Sequence, residues 1–282
     1  MEKKNLQSGQ VLLIVVLVLI IALTVGLSAV SRSITNSRLS EEEVSSRRAL
    51  FAAEAGIEKA LSSSFPAIGT FTGILSDNGA SYSTTVTAIS GVNLLMLGGN
   101  PIPKDEGATL WLSNYSDDSA KIYNNSWGAG SIGFFWGDST GECNNSALEL
   151  MLVEGPKSAP KITRSVYDPC GLRRTQNHLS SPAVIQQGSC ACSGLPDGVI
   201  RGTKFAYYAA VSVSSPLMIR VVPLYKDAVV GAVGGNNDKA LSIQGFESIS
   251  LGKSGTTKIN IKATKEYPQL PAGFFSHSLF SP

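Results

Sequence analysis

The spacing of apolar and polar positions changes twice along the chain. Residues 11–30 read VLLIVVLVLIIALTVGLSAV, with no charged side chain and only Thr24 and Ser28 polar. Coiled as a helix at about 1.5 Å per residue, this run spans roughly 30 Å, the thickness of a bilayer's hydrocarbon core. Residues 31–63 contain no proline and are dominated by Ala, Leu, Glu and Arg, all good helix formers. Glu43 and Arg47 stand at the favourable i, i+4 spacing. Ile34, Val44, Phe51, Ala55, Ile57 and Leu61 form a patchy apolar stripe at helical intervals. The first punctuation is Phe65-Pro66, then Gly69. The pattern predicts one helix over residues 10–63, apolar all round in 11–30 and amphipathic in 31–63, then a linker over 64–70. An anchor alone would stop at the membrane surface; a helix that runs on needs partners along both halves.

From residue 71 to 282 the period shortens. Runs rich in Val, Ile, Thr and aromatics are cut by Gly, Pro, Asn and Asp, which predicts strands at 80–89, 109–115, 131–137, 147–154, 161–167, 204–213 and 217–225. Segments 246–252 and 256–264 form a hairpin across Lys253-Ser254-Gly255. In the second of these Ile259, Ile261 and Ala263 alternate with Lys258, Asn260 and Lys262, the signature of a half-buried strand. The expected fold class is α+β: a long N-terminal helix followed by a mainly antiparallel, β-sandwich-like domain. Residues 168–203, rich in Pro and Gly, read as an insertion, either a partner-binding surface or a tolerated loop.

Composition narrows the chemistry. Charged residues make up 16% of the 282, and the formal net charge is +2, so nothing favours nucleic acid. The four cysteines are Cys143, Cys170, Cys190 and Cys192, three of them inside the insertion. In an exported chain an even number predicts disulfides; their pairing is open. Only Cys190 and Cys192 lie close, with a single residue between them, which is not the spacing of a zinc site. The two histidines, His178 and His277, belong to no catalytic motif, so no enzyme, metal or cofactor is expected. Glu54 and Glu58 read as a solvated or inter-subunit face. The run 11–30 exceeds a cleaved signal's apolar core. Lys3 and Lys4 before it nearly balance Arg32 and Arg38 after it. The size of the C-terminal part and its cysteines place that part outside the cell.

The N-terminal fifth of the chain resembles a known family. Lys3, Lys4, Ser8-Gly9-Gln10, the run 11–30 and Phe51-Ala52-Ala53-Glu54-Ala55-Gly56-Ile57-Glu58 are similar to type IV pilin-like proteins, specifically PilX-type minor pilins. The resemblance implies a leader peptide over residues 1–9, cut by a prepilin peptidase between Gly9 and Gln10, with methylation of the new amino terminus. It implies a membrane-anchored subunit that later packs its helix among other pilin subunits, delivered by an assembly platform in the membrane, with its outer domain at the cell surface facing an unknown ligand. Two positions depart from most pilins. Gln10 stands where phenylalanine is usual, and Ile14 where major pilins carry a glutamate. A subunit without that carboxylate has no buried charge to satisfy in the membrane and lacks one contact to the subunit ahead, which suits a tip or initiating position. The other function expected is a permanently anchored, ligand-binding surface protein that never polymerises.

Overall fold

The computed structural model describes residues 8–62, 66–77, 79–113, 115, 127–156, 158–185, 190 and 192–269. The first described element is α1 (Ser8–Leu61), one helix of 54 residues and so about 80 Å long. Then come β1 (Gly69–Ile74), β2 (Ser81–Ala88), β3 (Asn93–Leu95), β4 (Ala108–Trp111), β5 (Gly130–Trp136), β6 (Ala147–Glu154) and β7 (Lys161–Tyr167). A short helix α2 (Gly171–Asn177) precedes β8 (Ala183–Val184), β9 (Val199–Ile200), β10 (Thr203–Lys204), β11 (Tyr207–Val213), β12 (Pro216–Leu224) and β13 (Val230–Gly234). The hairpin β14 (Gly245–Ser254) and β15 (Thr257–Glu266) completes the described elements. The fold is α+β, a long apolar helix followed by antiparallel sheets.

The β region is shared between two compact units. One compact unit runs to residue 86 and takes back 248–263; the other holds 87–247 and the residues from 264 on. The first residues of β1 also fall inside the stretch read as a linker, 64–70.

In the first unit, α1 covers a four-stranded sheet of order β1-β2-β14-β15. The helix face that goes under is not the large apolar stripe. Ala49, Ala52, Ala53, Gly56 and Ala60 are buried, whereas Ile34, Val44 and Phe51 are 51%, 43% and 57% exposed. The sheet answers with small and hydroxylated residues, and Thr84, Ser248 and Ser250 are all fully buried. Thr84 Oγ1 donates to Ser250 Oγ at 2.8 Å, which keeps two of those hydroxyls satisfied. A side chain at Gly252 would strike the Ala49 carbonyl oxygen and the Ala53 amide nitrogen, and one at Gly56 would strike Thr84, Ser250 and Tyr82. Helix and strand therefore touch backbone to backbone. Small residues make this possible, and van der Waals contact replaces the usual hydrophobic interlock. Across the β1–β2 pair Gly73 sits opposite Tyr82, whose ring occupies the space a side chain would need.

The second unit is a sandwich. A five-stranded antiparallel sheet, β3-β13-β5-β11-β8, faces a four-stranded one, β4-β12-β6-β7. Ile132, Phe134 and Trp136 of β5 share one core with Leu148, Leu150 and Leu152 of β6 and with Ile219 and Val221 of β12. Alternation along each strand sends these side chains to one face. The free edge of β4 is closed by glutamines. Gln269 accepts from the Thr109 amide at 2.6 Å, while Gln244 accepts from the Trp111 amide and donates to the Trp111 carbonyl. Such cover removes a template for stray strand pairing.

The tight helix–sheet contact predicts its own sensitivity. Gly252→Val should destabilise the full chain by about 2 kcal/mol or more, because neither backbone can move aside. Chemical denaturation in detergent micelles should show it, and Ser83→Val on the opposite sheet face should stay within about 0.5 kcal/mol.

Candidate functional site

The residues singled out from sequence fall in two places. Ser8, Gly9 and Gln10 form the start of α1, and Ile14 lies one turn further on, 53% exposed. From Leu12 to Val30 every large apolar side chain is exposed, and among the described residues α1 is the one helix long and apolar enough to cross a membrane. It can serve as a single span. In the C-terminal half of α1 the small-residue face is spent on the sheet. The other side carries Val44 and Phe51, seven residues apart and so on one line, beside the exposed pair Arg47–Glu43 and the exposed Glu54 and Glu58. Both belong to the patchy apolar stripe read from the sequence, on a helix expected to need partners along both halves. What distinguishes the buried row is side-chain size: Ala49, Ala52-Ala53, Gly56 and Ala60 recur at helical spacing with no bulk.

The four cysteines form two intrachain disulfides, Cys143–Cys170 with a Cα–Cα distance of 4.4 Å and Cys190–Cys192. The first pins the start of the insertion to the loop after β5. Beside it Asp168, fully buried, accepts two hydrogen bonds from Arg173, at 2.8 Å from Nε and 2.7 Å from Nη2. Arg173 also donates to the carbonyls of Cys143 and Asn145, and its guanidinium lies 4.5 Å from the Tyr225 ring centroid. Hydrogen bonding to Asp168 raises the Arg173 pKa above its ordinary value. The Thr140 hydroxyl and amide hold Asp138 below the usual carboxylate range, and burial pushes Tyr207 up. These groups lock two loops together and leave Leu172 projecting, 73% exposed.

The rest of the insertion is not a free loop. Cys192, Ile200 and Phe205 cover Phe135 and Val233 on the outer side of the five-stranded sheet, a third layer over the sandwich. Gly133 and Gly231 admit it, since side chains there would strike Ser193 and Tyr208, or Ile200 and Phe205. Of the remaining sequence candidates, His178 caps the end of α2 in a left-handed conformation, while His277 lies outside the described residues. Among the described residues no three His, Cys, Asp or Glu side chains converge as a metal ion requires.

Compared with known proteins, the chain matches no family model, no curated protein and no solved structure.

The stapled end should fail when its charge pair is cut. Asp168→Ala leaves Arg173 without its carboxylate and should cost about 3 kcal/mol. Joint replacement of Cys143 and Cys170 by serine should cost roughly 3 kcal/mol through the freed loop. Urea titration of the full chain reads both losses, and an unchanged midpoint in either would show that the knot contributes nothing to stability.

Proposed function

We propose that this chain is a minor subunit of a type IV pilus-like filament. It is anchored at first by residues 11–30 and later packed into the filament by the same helix. The observation that carries the reading is the division of α1 into two faces. One is committed to the protein's own sheet through Ala49, Ala53 and Gly56; the other leaves Val44 and Phe51 exposed on turns well beyond a bilayer-length run. A plain anchor gains nothing from apolar side chains held in water past the membrane surface. A helix that packs against neighbouring helices in its second half does. The sequence Ser8-Gly9-Gln10 just ahead of the apolar run supports processing between Gly9 and Gln10, and Ile14 in place of a carboxylate supports a tip or initiating position over a bulk one.

In this reading the sandwich lies outside the cell, where disulfides persist. The partners are other pilin subunits along α1, a prepilin peptidase at Gly9 and the assembly platform. The work done is assembly and surface attachment, without catalysis.

Intact-mass analysis of the mature protein tests the central step. A chain that begins at Gln10 supports the proposal; one that retains Met1 through Gly9 is a permanent anchor, and the proposal fails. Phe51→Glu gives a second test. Because Phe51 is exposed in the monomer, its loss should change stability by less than about 0.5 kcal/mol. Incorporation into filaments, measured by quantitative immunoblotting of sheared fibres, should fall roughly tenfold. Wild-type incorporation of this variant would remove the outer face of α1 from the interface.

A further inference from the structure

We propose that Cys190–Cys192 is an exchangeable disulfide, a two-electron acceptor for external dithiols, beside a Cys143–Cys170 bridge that is purely structural. The two differ first in what they close. Cys143 and Cys170 stand 27 residues apart in the chain, Cys190 and Cys192 only two. A crosslink constrains the unfolded chain more the longer the loop it closes, so the long bridge and the fold stabilise each other. By the same linkage the fold does little to hold the short one closed.

The long bridge is also gripped from its surroundings. Arg173 donates to the Cys143 carbonyl, and the Cys170 amide donates to the buried Asp168 carboxylate at 2.8 Å. Opening that bridge loosens a charge pair. Around Cys192 the backbone is held without help from the sulfur. The Leu195 amide donates to the Cys192 carbonyl at 2.8 Å, and the Ser193 and Tyr208 hydroxyls share a hydrogen bond at 2.6 Å. Gly194, at a φ of 71°, passes so close to the Asn236 carbonyl that no side chain fits between them. With the disulfide open, Cys192 therefore stays in the apolar layer of Phe135, Ile200, Phe205 and Val233. A neutral thiol suits such surroundings as a small apolar group. Both oxidation states thus share one fold, which is what reversible exchange requires.

The two sulfurs have different roles. Cys192 is fully buried, whereas Cys190 packs against the same cluster and is only partly buried. Attack therefore comes at Cys190. One thiolate of the dithiol bonds to the Cys190 sulfur, the Cys190–Cys192 bond breaks, and Cys192 leaves with the electron pair and takes up a proton. The second thiol of the reagent, as thiolate, then displaces Cys190 and closes the reagent's own disulfide, and Cys190 takes up the second proton. Two electrons and two protons pass from the dithiol to the protein. The departing Cys192 sulfur is charged only transiently, so its apolar surroundings slow the exchange without holding the bridge closed. A reagent with a single thiol stops at the mixed disulfide on Cys190.

Processing and filament assembly play no part in this chemistry, so its test is separate from theirs. The full chain in detergent micelles is equilibrated with graded ratios of reduced to oxidised dithiothreitol, alkylated, and read by peptide mass mapping. Cys190 and Cys192 should be half reduced at a ratio roughly tenfold lower than Cys143 and Cys170. Tryptophan fluorescence should hold steady until the second pair opens. Two variants test the sides of the bridge. Cys192→Ser leaves Cys190 as the free thiol and should react with dithiodipyridine roughly ten times faster than Cys190→Ser, which leaves the buried Cys192. The titration of the unaltered chain decides the matter even where a variant fails to fold. The proposal is overturned if the two bridges open together, if Cys143–Cys170 opens first, if fluorescence changes with the first opening, or if Cys192 reacts as fast as Cys190.

Discussion

At Gly252 the backbone of β14 meets the carbonyl of Ala49 and the amide of Ala53 with no side chain between them. Little else in the first unit is free to vary once that contact is made. It fixes which side of α1 goes under and brings Gly56 onto Thr84 and Ser250. It also turns Val44 and Phe51 to the outside. The contact is sparing in hydrophobic area, since alanine and glycine bury little. Its strength lies in close approach. That arrangement keeps the large apolar side chains of the helix available for something other than the protein's own core.

The second unit has a different logic. Its large side chains, Phe134, Trp136, Leu148, Leu150 and Ile219 among them, fill one core between two sheets. The insertion adds a third layer through Cys192 and Ile200, joined by Phe205 just beyond it. Cys143–Cys170 and the Asp168–Arg173 pair then close the end where loops would otherwise be long. The free edge of β4 is covered by glutamine side chains. A stable β domain and a helix with an uncommitted face are what the proposed filament subunit would combine.

Much of this was legible before any coordinate. Strands β6 and β7 lie where their Val, Ile and Leu runs placed them, and β15 alternates as Ile259, Ile261 and Ala263 required. The weaker strands were not legible. The glycine-rich β13, VGAVG, gives no periodic signal, and β1 hides in a stretch that begins with Gly69 and alternates without charge. The hairpin turn falls at Gly255-Thr256, one residue beyond the place expected, because Gly255 takes the positive φ of 57° that the turn needs. The apolar stripe of α1 does not mark the face its own sheet covers, for a physical reason: size, not hydrophobicity, selected the buried face, and alanine reads as neutral in a hydrophobic pattern.

By itself the sequence determined the long helix, its membrane-length apolar half and the β-rich remainder. Those features rest on local propensity and on the period of the chain. Tertiary structure alone decided which face of α1 is spent, because that depends on Gly252, some two hundred residues away in sequence. It decided the disulfide partners, which depend on where loops meet. It also decided that β1, β2, β14 and β15 form one sheet beneath the helix, since pairing between distant strands follows from packing and leaves no mark on any one of them.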